Sequence, residues 1–135
     1  MSTSELAAPT HNEAAKRIRE MVVVSFKVPG DMLLELDAVA EKLGVDRSWV
    51  IRRALSWFAN NSDVQNYKGS KYGGKLHIIT FKVPQLFIGF IDGLATSLDI
   101  SRSELIRRAL AMYLSYIIRS ERKNGFIVRV GVIRI

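Results

Sequence analysis

The sequence predicts an α+β protein, mostly helical, in which a two-stranded antiparallel ribbon lies over four helices. Three observations predict it: the chain repeats itself, each copy opens with a short strand pattern that ends at a proline, and two helical patterns follow. A shift of 55 positions aligns residues 21–58 with residues 76–113 without a gap, and 14 of the 38 aligned positions are identical. Two copies are too few for a solenoid, so we expect a pseudo-symmetric pair.

Each copy begins with β-branched and aromatic residues, VVVSFKV at 22–28 and HIITFKV at 77–83. Pro29 and Pro84 lack a backbone N–H and therefore end the two strands. Because a lone strand leaves a row of backbone groups unpaired, we expect the two strands to pair antiparallel. The segment between the copies can span up to ~3.3 Å per residue, which is enough to bring them together.

Two helices are predicted after each proline. Apolar residues recur at helical spacing from Met32 to Leu43 and from Phe87 to Leu98, which gives the first helix of each copy. Gly44 ends this helix in the first copy, and Asp46 and Ser101 are the expected N-caps of the second helices. The second helices should bury one stripe each, formed by Val50, Ile51, Ala54, Leu55 and Phe58 and by Leu105, Ile106, Ala109, Leu110 and Tyr113.

These elements divide the chain into five segments. We expect a flexible N-terminal arm at 1–20, a first copy at 21–60, a linker at 61–75, a second copy at 76–123, and a strand or tail at 124–135. The C-terminal segment is the candidate for an additional strand, because valine and isoleucine dominate it.

Composition argues against several classes of function. The chain has no cysteine, and its two histidines lie far apart without metal-ligand spacing, so neither a metal nor another cofactor is expected. No window of ~18 uncharged apolar residues occurs and the first residues lack a secretion signal, so we expect no membrane contact and a cytoplasmic location. We find no pattern of nucleophile, base or phosphate-binding loop, so we assign no catalytic residue and do not expect an enzyme.

The formal charge of +7 and the isoelectric point of about 10.0 indicate a polyanionic partner. The excess lies mainly outside the two copies, since residues 59–75 carry a net +2 and residues 114–135 a net +4. Charge alone therefore does not identify the surface that would bind such a partner.

A family resemblance lies in two stretches, VSFKVPGDMLLELDAVAEKLGVDRSWVIRRAL and ITFKVPQLFIGFIDGLATSLDISRSELIRRAL. They resemble the ribbon-helix-helix family of MetJ-like and Arc-like repressors, and the resemblance covers 76 of the 135 residues. Two copies in one chain are similar to the tandem regulators of some archaeal viruses and plasmids, which would act in the host cytoplasm. The resemblance implies a sequence-specific transcription regulator that lays its ribbon in the major groove of double-stranded DNA.

Strand alternation separates a core face from an outer face, because neighbouring side chains point to opposite sides. If Val24, Phe26 and Val28 fill the core, the other face matches the base-contacting positions of the family. Lysine can donate to guanine, serine and threonine can bond most base edges, and valine or isoleucine can contact thymine methyl groups. A merely solvated face is the alternative, and the two aliphatic residues could instead lie beyond the groove or support strand pairing. The predicted base-contacting residues are Val23, Ser25, Lys27, Ile78, Thr80 and Lys82.

The start of each second helix is a second candidate contact, because its free amides and positive dipole end suit a phosphate oxygen. An ordinary capped helix with an exposed arginine is the alternative. The resemblance implies phosphate contacts by Arg47, Ser48, Arg102 and Ser103. Salt bridges or a solvated face are expected for the arginines deeper in these helices, Arg52, Arg53, Arg107 and Arg108.

The first helix of the second copy carries more apolar surface, because Leu86, Phe90 and Thr96 replace Asp31, Glu35 and Glu41. Something is expected to cover this surface. The C-terminal run FIVRVGVIRI could fold back on it, or a second chain could bind it. The second arrangement predicts a homo-oligomer that assembles cooperatively on DNA.

The leading functional hypothesis is a regulator that recognises an imperfect inverted or asymmetric site, since its two strands differ. The alternative is an antitoxin-type autoregulator whose C-terminal tail binds a partner protein. That tail is short and lacks the long disordered composition which such wrapping usually involves.

Overall fold

The computed structural model describes residues 20–61 and residues 71–124. Strand, helix and helix follow one another twice, and the two strands form one antiparallel sheet, which confirms the predicted α+β architecture. The elements are β1 (Met21–Pro29), α1 (Gly30–Leu43), α2 (Arg47–Ala59), β2 (Leu76–Pro84), α3 (Gln85–Ser97) and α4 (Arg102–Asn124).

Two predicted segments fall almost entirely outside the described residues. Glu20 is the one described residue of the predicted N-terminal arm, and Asn124, the last residue of α4, is the one described residue of the predicted C-terminal strand. In the described part of the chain, no helix combines the length and apolar character needed to cross a membrane. Nor does that part contain three or more histidine or acidic residues grouped so that they could hold a metal ion.

The sheet has an approximate two-fold axis through its centre. Ser25 faces Thr80 there, and the pairing continues symmetrically until Met21 faces Pro84 and Pro29 faces Leu76. The two central residues occupy the same aligned position in the two copies, so each strand meets its counterpart in the same way. Each strand is one residue longer at both ends than its predicted run.

Helix α1 begins directly after Pro29, whose φ of −63° and ψ of 149° still belong to extended backbone. The first helical N–H, of Gly30, donates to the carbonyl of Lys75 at 2.9 Å. In the second copy the N–H of Gln85 donates to the carbonyl of Glu20 at 2.9 Å. The chain that precedes each strand therefore satisfies a donor at the start of the other copy's first helix, where an α-helix lacks internal partners.

The turn between the helices has the same design in both copies. Gly44 has a φ of 69° and Asp99, at the aligned position, a φ of 58°, so both adopt the left-handed conformation that aspartate tolerates better than most residues. Both predicted N-caps are confirmed. The Asp46 carboxylate and the Ser101 hydroxyl each accept a bond from the backbone N–H three residues on, at 2.7 and 3.1 Å.

The core lies between the inner face of the sheet and the four helices. All ten residues of the predicted stripes on α2 and α4 are buried. At the centre the rings of Phe26 and Phe81 meet edge to face, with centroids 5.8 Å apart. Aromatic pairs favour this geometry. Phe26 and Phe81 occupy the same aligned position in the two copies, so both copies contribute to one shared core.

Helix α3 is less deeply buried than its counterpart α1. Its buried residues are Ile91 and Ala95, whereas α1 buries four side chains. Leu86 is 61% exposed and Phe90 50% exposed, so the described residues leave the predicted extra apolar surface of the second copy accessible.

Candidate nucleic-acid interface

The outer face of the sheet carries all six predicted base-contacting side chains. Each of them is exposed, and they alternate with buried neighbours along both strands. The aliphatic members are the most notable, because Val23 is 62% and Ile78 70% exposed. The fold therefore brings the six residues together on one surface directed away from the helices.

The strand register arranges these residues in three cross-strand pairs. It pairs Val23 with Lys82, Ser25 with Thr80, and Lys27 with Ile78. Each end of the face consequently has one ammonium group beside one branched aliphatic side chain, and the centre has two hydroxyl groups. Side chains on directly opposed residues lie about 5 Å apart at Cβ, which makes each pair a single contact unit.

Two arginines hold the backbone beside the lysines. Nη1 of Arg52 on α2 donates to the carbonyl oxygen of Lys82 at 2.8 Å, and Nη1 of Arg107 on α4 donates to the carbonyl oxygen of Lys27 at 3.1 Å. Each helix thus binds the strand of the other copy. Our expectation of a salt bridge or a solvated face was wrong for Arg52 and incomplete for Arg107, which also bonds Glu104 at 3.0 Å.

Ser48, a predicted phosphate contact, also bonds strand β2 within the chain. Its Oγ accepts a hydrogen bond from the backbone N–H of Lys82 at 3.0 Å. Together with Arg52, it satisfies both backbone groups that Lys82 presents at the free edge of β2. Unpaired edge groups otherwise invite pairing with other chains, so this contact protects the ribbon.

The arginines at the helix starts are held by aspartates of the preceding helices. Nε and Nη2 of Arg47 bond the Asp37 carboxylate at 2.9 and 3.0 Å, and those of Arg102 bond Asp92 at 2.8 and 2.7 Å. The hydrogen bond from Arg102 lowers the pKa of Asp92 below its ordinary value and raises that of Arg102 itself. Side chains in both pairs are roughly half exposed.

We did not predict these two ion pairs, although the sequence contains a signal for them. Both the aspartate and the arginine are identical at aligned positions, with a separation of ten residues in each copy. A charged pair repeated at one spacing indicates a shared contact. The phosphate role predicted for Arg47 and Arg102 stays a prediction, as does that for Ser103.

The two remaining arginines lie against the helix surfaces. Arg108 Nη2 is 3.7 Å from a carboxylate oxygen of Glu104, in agreement with the salt bridge we expected there. The Arg53 guanidinium lies 5.2 Å from the ring centroid of Trp49, a cation–π contact that we did not predict. Burial raises the pKa of Tyr113, and a hydrogen bond from Arg53 partly opposes this effect.

The comparison with known families agrees with this geometry. A family model described as ribbon-helix-helix protein, copG family, matches residues 22–58, which comprise most of β1, all of α1 and most of α2. No curated protein and no solved structure matches the chain. The family is one of DNA-binding regulators, not of enzymes. Over residues 22–58 the chain therefore matches the ribbon-helix-helix family, whose members are DNA-binding transcription regulators.

Proposed function

We propose that the outer face of the sheet enters the major groove of double-stranded DNA and contacts base edges there. A B-form major groove is about 12 Å wide and admits a two-stranded ribbon. In this proposal the chain does alone what a symmetric dimer does with two chains, because its second copy supplies the second strand. The observation that carries the proposal is the exposed set of three cross-strand pairs at the centre of the ribbon.

The chemistry of the pairs suggests what each contacts. The ammonium groups of Lys27 and Lys82 donate to N7 and O6 of guanine, one at each end of the ribbon. Val23 and Ile78 lie beside them and suit thymine methyl groups. Ser25 and Thr80 can donate to or accept from the central base pairs.

The two halves of the face are nearly equivalent, and this favours one kind of site. Aligned outer residues are identical or differ by one methyl or methylene group, as valine differs from isoleucine and serine from threonine. An imperfect inverted repeat fits this face better than two unrelated half-sites. The fused chain can tolerate differences between the halves, because each strand is encoded separately.

The strand backbone beside the two lysines is held in place by arginines, which supports a base-contacting face that is preorganised for DNA. The bonds from Arg52 and Arg107 hold the peptide groups of Lys82 and Lys27 before DNA is bound. A strand whose position is already determined loses less conformational freedom on binding, which favours affinity.

Phosphate contacts would flank the ribbon at the starts of α2 and α4. The bonds of Arg47 and Arg102 to aspartates use Nε and Nη2, so in each guanidinium Nη1 is left to reach a phosphate oxygen. The Ser48 hydroxyl accepts from the ribbon and keeps its own proton for donation, and Ser103 occupies the equivalent position. Such contacts position the protein without selecting a sequence.

Assembly and regulation complete the proposal. We propose that several chains bind neighbouring sites cooperatively, with the exposed apolar surface of α3 as the source of cooperativity. The protein would act in the cytoplasm, as a repressor of transcription.

Selection of DNA from a random pool, followed by binding measurements on the selected site, tests the base-contacting role. Replacement of both Lys27 and Lys82 by alanine should weaken specific binding about 30-fold or more, at ~1–3 kcal/mol per lost base contact. Replacement of Lys42 and Lys71 by alanine removes the same charge away from the ribbon and serves as the control. Equal affinity and selectivity in the two double variants would refute the proposal.

A further inference from the structure

We propose that a cavity between α2 and α4 binds a small aromatic anion, a planar ring that carries a carboxylate or phosphate group. The cavity has a volume of about 330 Å³, at the lower end of the range for small-molecule sites. Arg53 and Trp57 of α2 line one side, and Tyr113 and Tyr116 of α4 line the other. These helix residues are not part of the outer face of the sheet, so the inference goes beyond the proposed function and does not rest on it.

Aromatic rings form the wall of the cavity. The Trp57 ring stacks on that of Tyr116 with centroids 5.2 Å apart, and the Tyr113 ring lies 5.8 Å from that of Trp57. Tyr116 is 48% exposed, so ring surface remains open to a ligand. A planar ligand can stack or pack edge-on against such surfaces. The wall therefore favours an aromatic ring over a flexible aliphatic chain.

Arg53 supplies a positive charge at this wall. The aligned arginine, Arg108, lies 3.7 Å from the Glu104 carboxylate, but Trp49 replaces that glutamate in the first copy. Arg53 instead contacts the Trp49 ring and the Tyr113 hydroxyl, and no carboxylate of the described residues forms an ion pair with it. Arginine binds carboxylate and phosphate groups through a planar, two-point contact, so this guanidinium is suited to an anion.

Further polar groups of the cavity complement a ligand of this kind. Burial raises the pKa of Tyr113, so its hydroxyl keeps its proton and can donate it to the anion while it accepts from Arg53. The side-chain amides of Asn60 and Asn61 donate to carbonyls in the last turn of α2, at 2.9 and 2.7 Å. Their oxygens are left as acceptors, which suit an N–H group on the ring. The lining therefore matches a nitrogen-containing aromatic ring with an anionic substituent.

The aligned positions of the two copies show that packing does not require this lining. Met112 is aligned with Trp57, and Phe58 with Tyr113. Both Met112 and Phe58 pack in the shared core, so the fold accepts side chains there that have neither an indole nor a hydroxyl group. Because the two sides of the pseudo-two-fold axis differ in this way, we expect one ligand per chain and not two.

Isothermal titration calorimetry of the full chain without DNA tests the site. The probes are indoleacetate for the carboxylate and adenosine monophosphate for the phosphate, with neutral indole and adenosine as their controls. At least one anion should bind with one ligand per chain. It should bind about tenfold or more tightly than its neutral control, which lacks the charge-assisted bond to arginine. The anion that binds more tightly identifies the anionic group.

Three variants locate the binding in the cavity. Arg53→Gln should weaken binding of that anion about tenfold or more and leave binding of the neutral control unchanged. Trp57→Met, which introduces the residue of the second copy, should weaken both. Lys42→Gln removes a positive charge from α1, which does not line the cavity, and should bind as the wild type does. Circular dichroism and thermal melting show whether each variant is folded.

A carboxylate placed beside Arg53 tests the role of its charge by a second route. Trp49→Glu leaves Arg53 in place and gives it a glutamate at the spacing that Glu104 has to Arg108. This carboxylate should compete with the ligand for the guanidinium and weaken anion binding about as much as Arg53→Gln does. Trp49→Gln is the uncharged control and should keep most of the affinity.

Three results would overturn the proposal: no binding of either anion to the wild type up to millimolar concentration, equal affinity for each anion and its neutral control, and binding that Arg53→Gln and Trp49→Glu leave unchanged. The first would mean that the cavity is only a surface depression or that a segment outside the described residues fills it. The measurements contain no DNA. A chain that binds the anion but not DNA would therefore leave this inference standing and refute the proposed function alone.

Discussion

The carbonyl oxygen of Lys82 accepts a hydrogen bond from Nη1 of Arg52 at 2.8 Å, although 30 positions separate the two residues. The aligned bond joins Arg107 to the carbonyl of Lys27 across 80 positions. Each copy therefore holds the strand of the other copy, and neither half of the ribbon is supported by its own helices alone. Stability and DNA recognition should consequently depend on the same two arginines.

Replacement of Arg52 and Arg107 by alanine should lower both the free energy of unfolding and the preference for the specific site. Each lost bond is expected to cost about 1 kcal/mol of stability, because a partly exposed charged donor gains less than a buried one. Urea denaturation measures the first effect and competition between specific and random DNA the second. Arg119→Ala removes an exposed arginine of α4 as the control. Unchanged site preference in a folded double variant would contradict the anchoring role.

The central aromatic pair should be essential for stability. Phe81 is 1% exposed and meets Phe26 edge to face, so Phe81→Ala leaves a cavity in the core shared by both copies. The expected loss is ~3–5 kcal/mol in the free energy of unfolding. Leu34→Ala, at a position that is 72% exposed, should change it by less than ~0.5 kcal/mol. Similar denaturation midpoints for the two variants would show that the described core is wrong.

The Asp92–Arg102 pair should make stability depend on pH in the acidic range. Because the hydrogen bond from Arg102 lowers the pKa of Asp92 in the folded state, ionised Asp92 stabilises the fold above the pKa of the unfolded chain, ~3.9. This contribution is lost as the pH falls through the lower, folded pKa. The wild type should therefore melt above Asp92→Asn at neutral pH, and the difference should disappear in acid.

Thermal melting at a series of pH values measures this effect. Asp99→Asn removes a carboxylate from the same copy without breaking the pair, and serves as the control. A difference between wild type and Asp92→Asn that persisted unchanged into strong acid would rule out ionisation of Asp92 as its cause.

Substitution of Arg102 and of Lys82 should affect DNA binding in different ways. Arg102→Ala, at a proposed phosphate contact, should weaken binding to all sequences and reduce the slope of log affinity against log salt by about 1. Lys82→Ala should instead reduce discrimination at one position of the site. Fluorescence anisotropy over a salt series, with the selected site and single-base variants, separates the two effects. A sequence-dependent loss in Arg102→Ala would argue against a pure phosphate contact.

Much of the architecture was predictable because its causes are local. The prolines after residues 28 and 83 ended the predicted strands within one residue of their observed ends, since proline cannot donate to a ladder. Asp46 and Ser101 were recognisable as N-caps because their side chains bond a backbone group only three residues away. The six outer residues followed from strand alternation, which needs no knowledge of the partner strand.

The partners of the arginines were not predictable in the same way. The residues next to Arg47 and Arg102 do not indicate their partners, and the one signal in the sequence is that an aspartate ten positions earlier is repeated in both copies. Ser48 appeared as a phosphate ligand alone, although its hydroxyl also supports β2. Such contacts depend on how the helices cross, which local periodicity does not specify.

By itself the sequence determined which residues form strands and helices and which side of each is apolar, because side-chain periodicity and backbone chemistry act over a few residues. Only the tertiary structure decided that α2 holds β2 and that α4 holds β1. It also decided that Ser25 faces Thr80 at the centre and that Leu86 and Phe90 remain accessible. These features depend on the relative placement of distant segments, which is set by packing of the whole shared core and not by any one stretch of chain.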